Sequence, residues 1–251
     1  MENRFFYIEE QTALKLIAQC ETFGRNASKC GTRSKAYFID NFVVLKTENI
    51  LVTHTRTFKD KVPFDEIIKL LYKLKQQGVN VIPILGYSYN SEKTTGFENR
   101  LGKIEYAKGY IIQPRAKGRE MWNSELFSDK NYVLMQTQTL ASATEEHYVK
   151  FVADILTIIK AGISIDPAEE NFFYDESIGF SFIDLTTFAS INGLVIDEKI
   201  ITKYACMPYF KEIAQLKNLN PQEHKEISIY NEIIFEKCKK ALQVNNLNFK
   251  K

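Results

Sequence analysis

The 251-residue chain has few of the residues that mark a metal-bound or disulfide-bonded fold. It contains only four cysteines and three histidines, and the cysteines lie far apart, with no CxxC spacing. A structural zinc site needs clustered ligands, which this pattern does not supply. We therefore expect reduced, structural thiols at the four positions Cys20, Cys30, Cys206 and Cys238.

An excess of charge of one sign is also missing. Lys and Arg total 33 and Asp and Glu total 31, so the net charge is only +2. A protein that binds nucleic acid by neutralising phosphates usually carries a clear basic excess. Binding to nucleic acid is therefore not expected.

Long apolar runs are missing too, because charged residues interrupt every one of them. A membrane span needs about eighteen or more apolar residues in succession. Glu9 and Glu10 stand where the apolar segment of a secretory signal would lie. We expect a cytoplasmic protein that does not bind membranes.

The first half of the chain reads as antiparallel strands with helices. Residues 8–20 have helical spacing, and the run KAYFIDNFVVLK predicts two strands joined by a tight turn at Asp40-Asn41. ILVTHT, VIPILGYSY and GYIIQ are also strand-like, with a polar, looping insert before GYIIQ. An amphipathic helix is predicted from Pro63 to Gln77, ending at Gly78.

The second half is mainly helical. Ser142 and Glu145 have the spacing of a capping box before a long helix that Gly162 closes. The runs NFFY and GFSFI predict a hairpin over 171–183, and helices are expected over 208–219 and 221–242. The predicted class is α+β. Residues 1–113 form a strand-rich lobe and residues 114–251 a short helical lobe.

The hairpin and the segment before it carry the sharpest chemical signal. Asp166 follows the end of the long helix, Asn171 opens the hairpin, and Asp184 follows it. Phosphoryl transfer needs one carboxylate to orient the attacking hydroxyl, and hard oxygen ligands for magnesium. The alternative is structural, since Asp166-Pro167 could start a turn that Asn171 caps.

These residues and their order resemble the protein-kinase-like superfamily, whose catalytic loop carries Asp-x-x-x-x-Asn and whose next hairpin ends in a metal-binding Asp. The resemblance implies a two-lobed kinase-like fold that uses ATP and Mg²⁺. It implies Asp166 as the catalytic Asp, and Asn171 and Asp184 as the metal ligands. It covers about residues 20–190.

The first half supplies the other parts of the resemblance. Val43-Val44-Leu45-Lys46 looks like the Val-Ala-Ile-Lys strand, which implies Lys46 as the ligand of the nucleotide phosphates. Glu66 on the following helix is implied as its carboxylate partner, with Asp65 as an alternative. The loop over the phosphates would bring Gly31, Ser34 and Ala36, with basic Lys29, Arg33 or Lys35, and the hinge that meets adenine would be Gln113 to Arg115.

The departures from the family pattern concern the glycine loop and the length of the chain. Only Gly31 falls at a family glycine position, Ser164-Ile165 replace His-Arg, and Leu185-Thr186 replace Phe-Gly. No Ala-Pro-Glu motif follows Asp184, and 67 residues remain after it. This short form resembles the minimal bacterial effector kinases of the OspG/NleH type, which are secreted into host cells. That resemblance implies a host protein as substrate and ubiquitin or a ubiquitin-conjugating enzyme as partner.

Three functions follow from these residues. The first is a Ser/Thr protein kinase, in which Asp166 orients the acceptor hydroxyl. The second is a small-molecule kinase related to aminoglycoside or choline phosphotransferases, which usually have a larger helical lobe. The third is a pseudokinase that serves as a binding module, which the poor glycine loop and the missing His-Arg favour.

Overall fold

The computed structural model describes residues 2–23, 29–30, 34–56, 64–99, 102–165, 171–183, 185, 187–188, 198–211, 213 and 216–247. The chain divides into two compact units, and each is described by itself. The first comprises residues 1–77 and 82–115, and the second comprises residues 78–81 and 116–251. The first unit is an antiparallel sheet with helices and the second is mainly helical, so the α+β class is confirmed.

The first unit contains six described strands and two described helices: β1 (Glu2–Phe6), α1 (Glu10–Phe23), β2 (Lys29–Cys30), β3 (Ser34–Ile39), β4 (Phe42–Arg56), α2 (Phe64–Gln76), β5 (Gly86–Asn99) and β6 (Gly102–Pro114). The strands form one sheet in the order β1-β5-β6-β4-β3-β2. Every described pair in this sheet is antiparallel.

Two turns of the chain follow from local residue chemistry. Ile39 pairs with Phe42 across a two-residue turn. Asp40 in that turn has a φ of 50°, which aspartate tolerates better than most residues. Gly78 follows α2 with a φ of 85°, as expected of a glycine that ends a helix. The predicted hairpin and the predicted end of the helix are therefore both confirmed.

The expectation of a polar loop between residues 89 and 109 is wrong. Strand β5 continues to Asn99 and β6 begins at Gly102, with a register shift between Tyr89 and Thr94. This segment is polar, but a strand is held by backbone hydrogen bonds to its neighbour, which do not require apolar side chains. The run VIPILGYSY is also strand only from Gly86 onward, and Val81 makes an isolated bridge to Phe182.

Helix α1 packs on one face of the sheet. Side chains from its inner face and from three strands form one buried cluster: Ala13, Leu16, Cys20, Tyr37, Ile39, Val44 and Ile112. Each of these side chains is at most 6% exposed. Burial of this apolar area is the main force that holds α1 on the sheet.

The second unit contains five described strands, which are short, and four described α-helices: β7 (Arg119–Glu120), α3 (Lys130–Ser142), α4 (Glu145–Lys160), β8 (Ile163–Ser164), β9 (Phe172–Asp175), β10 (Gly179–Phe182), β11 (Thr187–Phe188), α5 (Glu198–Ala205) and α6 (Pro221–Val244). Strands β10, β9 and β7 form a small sheet, and β11 pairs with β8. Aromatic side chains join this sheet to α4, where Phe151 packs against Phe172, Phe180 and Phe182.

The helix starts in this unit differ in part from the prediction. Thr144, and not Ser142, caps α4, because its side chain accepts a hydrogen bond from the His147 N–H. Ser142 instead ends α3. Asn220 caps α6 and forms a capping box with Glu223, with Pro221 in the first turn.

The described part of residues 208–219 contains no α-helix, contrary to the expectation; it forms turns, with Ile213 in a 3-10 conformation. The buried side chain of Asn231 holds the backbone of Phe210 in this segment. Its Oδ1 accepts a hydrogen bond from the Phe210 N–H at 2.8 Å, and its Nδ2 donates to the Phe210 carbonyl at 2.7 Å. Both backbone groups of Phe210 are thus satisfied without a helical partner.

Residues 78–81 are fixed within the second unit by the buried carboxylate of Asp154. Asp154 accepts hydrogen bonds from the Asn80 N–H at 3.0 Å and from Lys150 Nζ at 2.9 Å. Lys150 also donates to the Gly78 carbonyl at 2.7 Å. None of the helices in the described residues has the length and apolar character needed to cross a membrane.

Candidate functional site

Two antiparallel pairings bracket the predicted catalytic segment of the second unit. Ser164 of β8 pairs with Thr187 of β11, and Ile163 pairs with Phe188. The β9–β10 hairpin lies between these two strands in the sequence, and its register aligns Phe172 with Phe182. We call the described residues of this arrangement, 163–165, 171–183, 185, 187 and 188, the hairpin frame.

Asn171 stands at the open end of the hairpin. Its carbonyl accepts a hydrogen bond from the Ile183 N–H at 2.9 Å, and Ile183 directly precedes Asp184 in the sequence. Asp166 and Asp184 themselves lie outside the described residues. This hydrogen bond holds the backbone of Asn171 beside Ile183, the residue before the predicted metal ligand Asp184.

The strand that precedes Asp166 is held by contacts within the second unit. Gly162, with a φ of 82°, ends α4 as predicted. The hydroxyl of Tyr204 on α5 donates a hydrogen bond to the Ile165 carbonyl at 2.9 Å. Ile165 and Leu185, the sequence neighbours of the two aspartates, are both 3% exposed. A hydrogen bond and burial therefore hold Ile165, the residue before Asp166. Burial also holds Leu185, the residue after Asp184.

The residue types of the predicted metal ligands, Asn171 and Asp184, suit magnesium, since carboxamide and carboxylate oxygens are the hard ligands that Mg²⁺ prefers. Asn171 is half-buried. Among the described residues, no group of three or more His, Cys, Asp or Glu side chains could hold a metal. Of the predicted metal ligands, the structure describes Asn171 alone.

In the first unit, Lys46 is bound by a carboxylate that the sequence did not point to. Lys46 Nζ donates hydrogen bonds to both carboxylate oxygens of Glu21 on α1, at 2.9 and 3.1 Å. The hydrogen bond to Glu21 raises the pKa of Lys46 above its ordinary value. Lys46 Nζ also lies 5.7 Å from the centre of the Tyr110 ring.

Glu66 is not the partner of Lys46, so the expected Lys46–Glu66 pair is corrected. Glu66 Oε1 instead forms an exposed ion pair with Lys69 on the same helix at 3.0 Å. The family pattern directs attention to the helix after the lysine strand, whereas the observed partner lies on the helix before it. Helical spacing over residues 8–20 predicted α1 but did not indicate which residue the last turn of α1 would contact.

The buried thiol of Cys20, which directly precedes Glu21 in α1, lies in the electric field of the Lys46–Glu21 ion pair. Burial is the largest cause that raises the pKa of Cys20 to about 11, and the charge of Glu21 raises it further. The charge of Lys46 acts in the opposite direction. The thiol therefore reports on both members of the ion pair.

The predicted nucleotide-binding residues of the first unit lie on both faces of the sheet. Successive side chains of a strand point to opposite faces, and directly paired residues share a face. Lys46 thus shares its face with Val44, Lys35 and Tyr110. The opposite face carries Ala36, Ser34 and Gln113, which pair with Leu45, Thr47 and Val43.

Of the remaining predicted nucleotide-binding residues, two contact other side chains of the first unit and one lies outside the described residues. Ser34 Oγ donates a hydrogen bond to Thr47 Oγ1 at 2.7 Å. The Arg115 guanidinium lies 5.0 Å from the centre of the Phe38 ring, a cation–π contact. Gly31 falls outside the described residues. Among the described residues, Ser34, Ala36 and Gln113 therefore lie on the sheet face opposite Lys46, whereas Lys35 shares the face of Lys46.

No protein-family model matches the sequence, and no curated protein matches it significantly. Two solved structures are similar at a low level. The ROP18 kinase domain in complex with AMP-PNP and sucrose is 11% identical, with a TM-score of 0.37 over 86% of this chain and 81% of that chain. ROP2 from Toxoplasma gondii, described as a virulence factor with a protein-kinase fold and no enzymatic activity, is 9% identical. Its TM-score is 0.36 over 94% of this chain and 88% of that chain.

Proposed function

We propose that the chain is a kinase-like phosphotransferase that uses ATP and Mg²⁺ and phosphorylates Ser or Thr hydroxyls of a protein. The observation that supports this proposal best is the hairpin frame. Its register sets Asn171 against Ile183, next to Asp184, while β8 ends two residues before Asp166. The proposal takes Asp166, Asn171 and Asp184, whose side-chain types are those that phosphoryl transfer requires, as the residues that act beside this frame.

Each residue has a distinct role in the proposed reaction. Asp166 orients the acceptor hydroxyl and accepts its proton, and Asn171 and Asp184 hold the metal. Bound Mg²⁺ would offset the negative charge of the phosphates during transfer. Lys46 is the first-unit candidate for contact with the phosphates.

The acceptor and the cellular setting rest on the sequence resemblance. The resemblance to the protein-kinase-like superfamily supports a protein acceptor over a small alcohol. The resemblance to minimal effector kinases supports action in a host cytosol. It also supports ubiquitin or a ubiquitin-conjugating enzyme as a partner.

Phosphate transfer tests the proposal. The purified chain is incubated with γ-labelled ATP, Mg²⁺ and generic protein substrates, with and without ubiquitin-loaded conjugating enzyme. The Asp166→Ala variant should lose at least 100-fold in transfer rate and still bind ATP. Asp175→Ala, at the turn of the same hairpin, serves as the matched control and should retain activity. Equal transfer by the parent and by Asp166→Ala would refute the assignment of Asp166.

A second candidate is a binding module without catalytic activity. The observation that favours it is the state of Lys46, whose ammonium is already bound by Glu21 on a face that α1 covers. This alternative expects no transfer to proteins or small alcohols under any condition. Transfer that depends on Asp166 would eliminate it.

A further inference from the structure

Helix α1 covers the sheet face that carries Lys46. Val44, two residues before Lys46 on the same face, is fully buried, as is Ile112 on the neighbouring strand β6. The side chains that bury them include Leu16 and Cys20 of α1. A ligand that binds Lys46 and extends along this face toward Ile112 must therefore displace α1.

The end of α1 near Lys46 is also electrostatically unfavourable for an anion. Glu21 lies in the last turn of α1, and that turn contains no basic residue. The carbonyl end of a helix carries a partial negative charge. A polyphosphate approaching Lys46 would meet this negative helix end and the Glu21 carboxylate, while the charge of Lys46 is already offset by its ion pair.

We propose that α1 is an autoinhibitory cover, in which Glu21 competes with polyphosphate ligands for Lys46 and the ligand-bound state requires α1 to leave the sheet. This inference rests on the proposed function only in assigning a polyphosphate to Lys46. It differs from the positioning role expected of Glu66, because here removal of the carboxylate strengthens ligand binding.

The size of the effect follows from the exposure of the pair. The side chains of Lys46 and Glu21 are each 48% exposed, so solvent screens their interaction and its removal changes affinity only modestly. Loss of this competition, together with loss of repulsion from the Glu21 charge, predicts about three- to tenfold tighter binding of Mg-ATP by Glu21→Gln.

Titration calorimetry with Mg-ATP on the full chain tests the proposal. The variants are Glu21→Gln, Lys46→Met and Glu10→Gln. Glu10 is the matched control, since it lies on α1 and its exposed ion pair with Arg4, at 2.9 Å, is a different contact. Alkylation of Cys20 by iodoacetamide, read by peptide mass spectrometry, is measured in the unmutated protein with and without Mg-ATP. This second readout needs no variant to fold.

The proposal expects tighter binding by Glu21→Gln, parental binding by Glu10→Gln and faster Cys20 alkylation when Mg-ATP is bound. Weaker or unchanged binding by Glu21→Gln overturns it, as does saturable Mg-ATP binding without any change in Cys20 alkylation. In either case loss of binding in Lys46→Met leaves the proposed function standing. Absence of binding by both the parent and Glu21→Gln overturns the cover and the assignment of Lys46 together.

Discussion

Lys46 on β4 is paired with Glu21 on α1, its Nζ lying 2.9 and 3.1 Å from the two carboxylate oxygens. Glu66, the carboxylate that the family pattern favours, is engaged by Lys69. The carboxylate partner of Lys46 on β4 therefore comes from α1, the helix that precedes β4 in the chain. This relationship links the chemistry of Lys46 to the docking of α1.

The thiol of Cys20 should report the ion pair through the pH dependence of its alkylation. Its rate is expected to rise with a midpoint near pH 11, because burial and Glu21 raise the pKa of Cys20 to about 11. Glu21→Gln should move this midpoint down, because it removes a charge that disfavours the thiolate. Lys46→Met should move it up, because it removes a charge that favours the thiolate.

Glu66→Gln is the control for this measurement, since Glu66 pairs with Lys69 and should leave the Cys20 midpoint unchanged. A shift in the same direction for Glu21→Gln and Lys46→Met would show that the pair does not act on Cys20 through charge. The alkylated peptide identifies Cys20 among the four cysteines of the chain.

The same ion pair should contribute to stability in a defined pH range. The pKa of Lys46 is raised in the folded protein, so the folded state favours the protonated form. The contribution is therefore complete below the ordinary lysine pKa and is lost as the pH rises through the higher folded value. Urea unfolding from pH 7 to 11 should show Glu21→Gln less stable than the parent by under about 1 kcal/mol. This difference should decrease toward the alkaline end, and a difference that grows there would contradict the pairing.

Asp154 should be a strong contributor to the stability of the second unit. Its buried carboxylate accepts the Asn80 N–H and binds Lys150, and its removal leaves a backbone donor without a partner. We expect Asp154→Ala to lower the free energy of unfolding by about 2–3 kcal/mol. Urea denaturation measures this loss.

The comparison variant for Asp154 is Glu236→Ala. Glu236 forms an ion pair with Lys239 on α6 at 3.3 Å, and both side chains are at least 40% exposed. Its loss should change stability by under about 0.5 kcal/mol. Similar losses in the two variants would show that burial does not set the value of the Asp154 contacts.

Asn231 should be the least replaceable polar residue of α6. It satisfies both the N–H and the carbonyl of Phe210 and is 2% exposed. Asn231→Ala should cost about 2–4 kcal/mol, because it leaves two buried backbone groups unpaired. Asn131→Ala, at an exposed position of α3, should change the melting temperature very little. An unchanged free energy of unfolding in Asn231→Ala would show that the two Asn231–Phe210 hydrogen bonds do not stabilise the fold.

Features that depend on local residue chemistry could be predicted from the sequence. The Asp40-Asn41 turn, the end of α2 at Gly78 and the β9–β10 hairpin were each specified by residues within a few positions of the feature. Features that depend on distant residues could not be predicted. The polar strands β5 and β6 are held by each other's backbone, and the backbone of Phe210 in the 208–219 segment is held by Asn231 on α6.

The residues of the candidate site likewise differ in whether nearby or distant parts of the chain determine their contacts. Asn171 was predicted from the spacing of polar residues around the hairpin, and its metal-binding role stays a prediction; the structure shows its carbonyl bonded to the Ile183 N–H. Glu21 could not be found from the sequence, because its pairing with Lys46 depends on how α1 packs on the sheet, 25 residues away in the chain. Strand alternation could have shown in advance that Ala36 and Lys46 lie on opposite faces, had the register been known.

The central claim is that the hairpin frame presents a metal site for phosphoryl transfer, and binding of Mn²⁺ in the presence of AMP-PNP tests it most directly. Electron paramagnetic resonance of the full chain counts bound Mn²⁺ in the parent, Asp184→Asn and Asp175→Asn. Asp175 lies in the same hairpin at the turn, where its carboxylate binds Ser177. The account predicts that Asp184→Asn loses the bound Mn²⁺ and that Asp175→Asn keeps it. Equal binding by the two variants, or no nucleotide-dependent Mn²⁺ in the parent, would contradict it.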